Sequence, residues 1–155
     1  VCRIIEIENA NRAATKHARL LRKAKFPAME GFGRYDFANV MFPAGCGEAD
    51  LKTLGLIEKR QDFVFFGPTG RGKTRLATAV GLAAVDEGVE VRFFNVAELV
   101  VHMAKLSEDG KLGQFMRDLE HASLVILDEF GYVPINVEGG ACRSRWCRSA
   151  MSGAA

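Results

Sequence analysis

The chain has 155 residues, 48% of them hydrophobic and 26% charged, with a formal net charge of +2. That length suffices for one domain burying roughly 68–70% of the surface its unfolded form exposes, and the composition is that of an ordinary water-soluble fold. No apolar run approaches the roughly 20 residues that cross a bilayer, residues 1–8 are too short and too acidic for a secretion signal, and so small a net charge does not by itself argue for nucleic acid.

Residues 1–25 read as an amphipathic helix. Ala13, His17, Leu20, Leu21 and Ala24 share one side. Arg12, Lys16, Arg19, Arg22, Lys23 and Lys25 populate the rest, with no acid between residues 11 and 25. That basic side is either a solvated face or a contact for DNA phosphates or an acidic partner. Phe26-Pro27 stops the helix, because the residue before proline is pushed out of the helical region. Residues 26–47 carry Pro27, Gly31, Gly33, Pro43, Gly45 and Gly47 among aromatics. They read as an irregular connector whose Phe32, Tyr35, Phe37 and Phe42 pack on the main domain or, alternatively, stack on a base. Residues 48–59 suggest a short helix with Leu51, Leu54 and Ile57 inward.

Phe63-Val64-Phe65-Phe66 is a run of β-formers and predicts a buried strand. Directly after it, Gly67-Pro68-Thr69-Gly70-Arg71-Gly72-Lys73-Thr74 fits G-x-x-x-x-G-K-[ST], the phosphate-binding loop. Glycines let the backbone fold over an anion at little conformational cost. The amides from Thr69 to Thr74 can then face a β-phosphate, helped by the positive end of the following helix. Lys73 is expected to reach the β- and γ-phosphates, and the Thr74 hydroxyl to ligate Mg²⁺. Arg75 stands next to this set and is counted among the phosphate-binding residues. The helix itself is marked by Leu76, Ala79, Val80, Ala83 and Ala84, and Gly88 caps its end. Strand, glycine loop and helix thus occur in the order the motif requires.

Residues 89–94 alternate into a further strand. Asn95 is placed to cap a helix from Val96 to about Ser107, with Leu99, Val100, Met103 and Leu106 buried and His102 exposed. After an Asp109-Gly110 turn, a helix over about residues 111–121 turns Leu112, Phe115, Met116 and Leu119 inward. Leu124-Val125-Ile126-Leu127-Asp128-Glu129 then reads as a fully buried parallel strand ending in two acids. In an open parallel sheet ligands sit at the carboxyl ends of strands. Asp128 is accordingly expected to hold Mg²⁺, and Glu129 to act as general base toward water. The alternation of strands and helices predicts an α/β fold with a parallel sheet.

After Gly139-Gly140 the pattern ends. Residues 141–155 contain no acid and no period of 2 or 3.6, and half the sheet of a nucleotide-binding domain has not yet appeared. Arg143, Arg145, Trp146 and Arg148 could touch nucleic acid, but a disordered end is the expectation. Cys2, Cys46, Cys142 and Cys147 show no zinc-type pairing, so reduced thiols and a cytoplasmic location are expected. The resulting division is a basic helix with connector over 1–47, a nucleotide-binding core over 48–140, and a tail over 141–155.

Several of these segments together resemble one family. The loop Gly67–Thr74, Val91-Arg92-Phe93 with Ala97-Glu98-Leu99-Val100, and Leu124–Glu129 with Phe130-Gly131-Tyr132-Val133-Pro134 are similar to IstB-like helper ATPases of insertion-sequence transposons. These are relatives of the DnaC helicase loader in the AAA+ class of P-loop NTPases, with Walker A and Walker B motifs on a three-layer parallel sheet. The basic helix ending at Lys25-Phe26-Pro27 resembles that family's N-terminal segment.

The resemblance covers about residues 12–140. It implies ATP and Mg²⁺ as cofactors, with phosphate binding at Gly67 to Thr74, metal binding at Thr74 and Asp128, and water activation by Glu129. It also implies DNA and a transposase as partners, and self-assembly through the nucleotide interface. Family members continue with a helix, a sensor strand and later arginines, which residues 141–155 do not match. The expectation drawn from that departure is a truncated or frame-shifted copy, lacking the strand between the first and third and prone to aggregate at the exposed edges. Three functions follow: an ATPase assisting DNA transposition, a helicase loader in replication, or a remnant that binds nucleotide without turnover. A small-molecule kinase would need an acceptor site and lid arginines, neither of which is visible.

Overall fold

In the computed structural model the described residues are 2–38, 40–43 and 45–130. The tail, with its cysteines, arginines and tryptophan, and residues 131–134 of the motif after the second acid lie outside them. The elements in order are α1 (Cys2–Ala24), a 3-10 turn (Phe32–Arg34), α2 (Glu48–Lys52), α3 (Gly55–Glu58), α4 (Lys73–Asp86), β1 (Val91–Asn95), α5 (Val96–Glu108), α6 (Leu112–Glu120) and β2 (Leu124–Asp128). No helix among them is long and apolar enough to cross a membrane.

β1 and β2 pair in parallel, from Val91 opposite Leu124 to Asn95 opposite Asp128. A parallel pair needs a crossover of a dozen or more residues, which α5 and α6 supply. Alternate strand residues face opposite sides. Val91, Phe93 and Ile126 join the core with Leu76, Val80, Ala84 and Val85 of α4 and with Leu20 and Ala24 of α1. On the other side Phe94 meets Phe115 of α6 edge to face, 6.1 Å between centroids.

α4 crosses the sheet at Gly81. A Cβ built there would lie 2.6 Å from Phe26 Cε1 and 2.8 Å from Ile126 Cδ1, so a side chain at this point would push on both. Phe26 is itself set edge-on to Phe93 at 6.1 Å. The connector thereby reaches the core immediately after α1 ends, where Lys25 turns left-handed (φ 58°) before Pro27.

Among the described side chains of α1, the buried ones lie in its last third. Residues 6–16 are exposed, Ala13 among them, whereas Leu20 and Ala24 are buried. Among the described side chains, burial on the amphipathic side begins at His17, which bonds Asp86 Oδ1 through Nε2 at 2.8 Å. Lys23 donates to Glu90 (3.1 Å), and Arg92 donates to the Lys23 carbonyl (3.1 Å). These contacts tie α1 to the end of α4 and the lead-in to β1.

Several expected elements differ. The helix over 48–59 breaks into α2 and α3 because Leu54 takes a left-handed backbone (φ 57°) that lets its side chain bury together with Leu51. Residues 63–66 form no strand. Phe63 and Phe65 pack against the core, but Val64 is 81% and Phe66 98% exposed. A strand needs a ladder partner, and none of the described residues pairs with this segment. For the same reason β2 is not fully buried: Ile126 is, while Leu124, Val125 and Leu127 are half-buried. The apolar residues of α6 are likewise only half-buried, and Val100 of α5 is exposed rather than inward.

Candidate functional site

The loop between residue 66 and α4 turns where glycine is needed. Gly70 (φ 82°) and Gly72 (φ 78°) are left-handed, which any side chain would resist, and Gly72 is the residue preceding α4. Lys73 opens the helix. Its Nζ folds back on the loop and donates to the carbonyls of Gly67 and Pro68, 2.8 Å each. The ammonium is thus held over the concave side of the loop by two weak, neutral acceptors.

Thr74 follows in the first turn of α4 and bridges to β2. Its hydroxyl lies 3.0 Å from both Asp128 Oδ1 and Asp128 Oδ2. The one hydroxyl proton is within reach of both oxygens. Parallel pairing places Asp128 and Asn95 side by side at the carboxyl ends of the two strands, the edge at which ligands collect in sheets of this kind. The residues expected to share a metal ion are therefore within one hydrogen bond of each other.

Asn95 does two things. Its Oδ1 accepts from the amides of Ala97 (3.0 Å) and Glu98 (3.4 Å), capping α5 as the sequence predicts. Its Nδ2 donates to Glu129 Oε2 at 2.6 Å, a contact the sequence reading missed. An asparagine cap uses only its oxygen, so the unspent amide of a strand-end cap was the available signal. Glu129 itself stands at φ 58°, a conformation that costs an L-residue roughly 1–2 kcal/mol and turns the chain sharply after β2.

The connector also reaches the loop. Gly72 lies under the Tyr35 ring, and a Cβ built there would be 3.3 Å from Tyr35 Cε2. Arg75, grouped with the phosphate-binding residues by the sequence, has Nε 2.6 Å from Glu30 Oε2. That Nε is buried yet makes no hydrogen bond, so the contact is an ion pair whose N–H is not aimed at the carboxylate. Neither pairing was foreseen, since Glu30 and Tyr35 stand some 40 residues away in an irregular segment.

The donor set suits a hard cation. Mg²⁺ prefers oxygen ligands and is usually held by one or two protein groups plus phosphate and water. Thr74 Oγ1 and the Asp128 carboxylate are such groups. Among the described residues there is no group of three or more His, Cys, Asp or Glu placed to hold a metal ion.

A family model described as IstB-like ATP binding protein matches residues 1–142. A Pseudomonas aeruginosa protein named for ATP binding and for insertion sequence IS21 is 33% identical over 121 residues, 76% of this chain and 44% of its own length. A Geobacillus stearothermophilus protein named for ATP binding and for IS5376 is 28% identical over 134 residues, 86% of this chain and 53% of its own. A Mycobacterium tuberculosis protein, named for ATP binding in an insertion sequence, is 34% identical over 126 residues, 81% of this chain and 50% of its own. The chain spans about half the length of these relatives.

Proposed function

The chain belongs to the family of IstB-like ATP-binding proteins, and on that premise we propose that it is the ATP-binding part of a helper protein for DNA transposition, working with Mg·ATP at the loop Gly67–Thr74. The observation that carries this reading is the Thr74 to Asp128 hydrogen bond, which brings the phosphate loop and the acid of β2 to one point. A three-layer parallel sheet of the AAA+ type, of which these residues supply part, assembly of copies through the nucleotide interface, and contact with a transposase and DNA belong to the same proposal. So does a division into basic helix, core and tail.

The chain's residues divide the work as follows. Backbone amides from Thr69 to Thr74 point at phosphate oxygens, and Lys73 exchanges its two carbonyl acceptors for charged ones, each bond to a charged group adding roughly 1.5–3 kcal/mol. Thr74 and Asp128 would hold Mg²⁺, which would neutralise charge on the phosphates. Glu129 accepts the proton of the attacking water, and Asn95 occupies one carboxylate oxygen so that the other is presented. Arg12, Lys16 and Arg19 line an open hollow of about 430 Å³ along α1, together with Glu8, Asn11 and Thr15. Arg12 is paired with Glu8 at 2.7 Å, and Lys16 and Arg19 support DNA phosphates as the ligand of the exposed half of that helix.

A replication helicase loader would use the same residues, and a non-hydrolysing remnant would use all but Glu129. Phosphate release by the purified protein separates the remnant from both ATPase readings, and a transposase gene beside this one favours transposition over loading. A rate abolished by Glu129→Gln and raised by DNA is expected. Equal background rates in parent and variant would leave only the remnant.

A further inference from the structure

α4 and β2 face each other at two points. Thr74 and Gly81 stand seven residues apart on α4, which brings them to nearly the same face, about 10 Å apart at 1.5 Å per residue. Ile126 and Asp128 stand two apart on β2 and share one face of the sheet. At the upper point the Thr74 hydroxyl reaches both Asp128 oxygens at 3.0 Å. At the lower point α4 offers no side chain. A Cβ at Gly81 would stand 2.8 Å from Ile126 Cδ1, and 2.6 and 2.8 Å from Phe26 Cε1 and Cζ. The ring of Phe26 therefore takes the space that a side chain of α4 would otherwise fill. It also lies edge-on to Phe93, the register partner of Ile126. Leu76, Val80 and Ala84 pack on the core from α4 itself, whereas Phe26 comes from the connector, turned in after Lys25 (φ 58°).

We propose that Phe26 is a positioning residue for the divalent cation: wedged between α4 and the sheet, it sets the separation at which Thr74 and Asp128 share one ion. This deepens the Mg·ATP reading and rests on it. The two oxygen donors stand 54 residues apart in sequence, so their spacing is set by how α4 packs on β2. Close-packed interiors transmit a shift at one point to the next. Mg²⁺ demands near-ideal octahedral geometry with oxygens at about 2.0–2.1 Å, so a small change in that packing costs metal affinity. The phosphate grip is different. It is built in one local segment, with Lys73 held by the carbonyls of Gly67 and Pro68. A tilt of α4 against β2 carries that segment along unchanged. Loss of the ring therefore separates metal affinity from phosphate affinity.

Calorimetric titration of the full chain with ATP in EDTA and with Mg·ATP tests this, the ratio of the two affinities measuring what the ion adds. Loss of a group that orients metal ligands typically costs about 10–100-fold in metal affinity. The parent is expected to bind Mg·ATP tighter than metal-free ATP, and Asp128→Asn to lose that gain. Phe26→Ala keeps the parent's affinity for ATP in EDTA, which also reports intact folding, and loses about tenfold or more of the gain from Mg²⁺. Phe26→Leu shows a smaller loss of the same kind and decides the matter if the alanine variant does not fold. An unchanged gain in these variants, or a fall of both affinities in equal proportion, overturns the positioning role while leaving the phosphate loop and the metal pair standing. If the parent binds ATP no tighter with Mg²⁺, or Asp128→Asn keeps the gain, the metal reading fails and the wedge has no ion to position.

Discussion

Asn95 joins the start of α5 to the carboxylate of Glu129, accepting two amides with one atom of its side chain and donating across 2.6 Å with the other. The same asparagine therefore sets both a helix and an acid at the sheet's ligand edge. Asn95→Asp keeps the cap, because an aspartate oxygen accepts amides as well, but places a negative charge against Glu129. Asn95→Ala loses both. A stability loss of about 1 kcal/mol is expected for alanine and little for aspartate, with phosphate release reduced in both. Urea melts and release assays on the two variants check this. Equal stability losses would sink the capping half, and unchanged release in both would sink the Glu129 half.

Lys73 has two neutral carbonyl partners, so its removal costs the fold little. Lys73→Ala is expected to melt within about 0.5 kcal/mol of the parent, as surface changes do. Its affinity for Mg·ATP should fall by one or more factors of about ten, given roughly 1.5–3 kcal/mol for each charged hydrogen bond. Thermal shift with and without Mg·ATP reads both quantities. A parent-like ligand shift in the variant would refute the role given to Lys73.

Gly81→Ala sets two effects against each other. Helix propensity gains about 1 kcal/mol, whereas forcing a methyl into a filled space costs about 1–3 kcal/mol. The built Cβ falls 2.6–2.8 Å from atoms of both Phe26 and Ile126, and Phe26 is braced on Phe93. The crowding wins, and a net destabilisation measurable as a lowered Tm is expected, larger still for Gly81→Val. A raised Tm would mean that Phe26 yields freely.

Val64 is a β-former at 81% exposure in a segment without a ladder partner among the described residues. Such apolar, unpaired backbone templates association. Val64→Lys should lower light scattering on concentration while leaving the melting temperature nearly unchanged. Unaltered scattering would shift the blame to another surface.

Much of the site was legible because it is local. The spacing of Gly67, Gly70, Gly72, Lys73 and Thr74, and the run of aliphatics before Asp128, are properties of short windows. Helices α4, α5 and α6 follow from period 3.6, and the Asn95 cap from its position. What was not legible depends on partners far away in sequence. Whether residues 63–66 become a strand is decided by a neighbour's ladder, not by their own β propensity. That Leu54 interrupts a helix follows from burial beside Leu51, which overrides local preference. The ion pair of Glu30 with Arg75 and the seating of Tyr35 on Gly72 arise from a connector with no period at all.

A helix of 23 residues is about 35 Å long at 1.5 Å per residue, and residues 6–16 of α1 are exposed while its final turns are clamped. Its clamp grips Asp86, at the opposite end of α4 from Lys73. Residues 6–16 therefore extend as an exposed arm, tethered at the end of α4 farthest from the proposed phosphate loop.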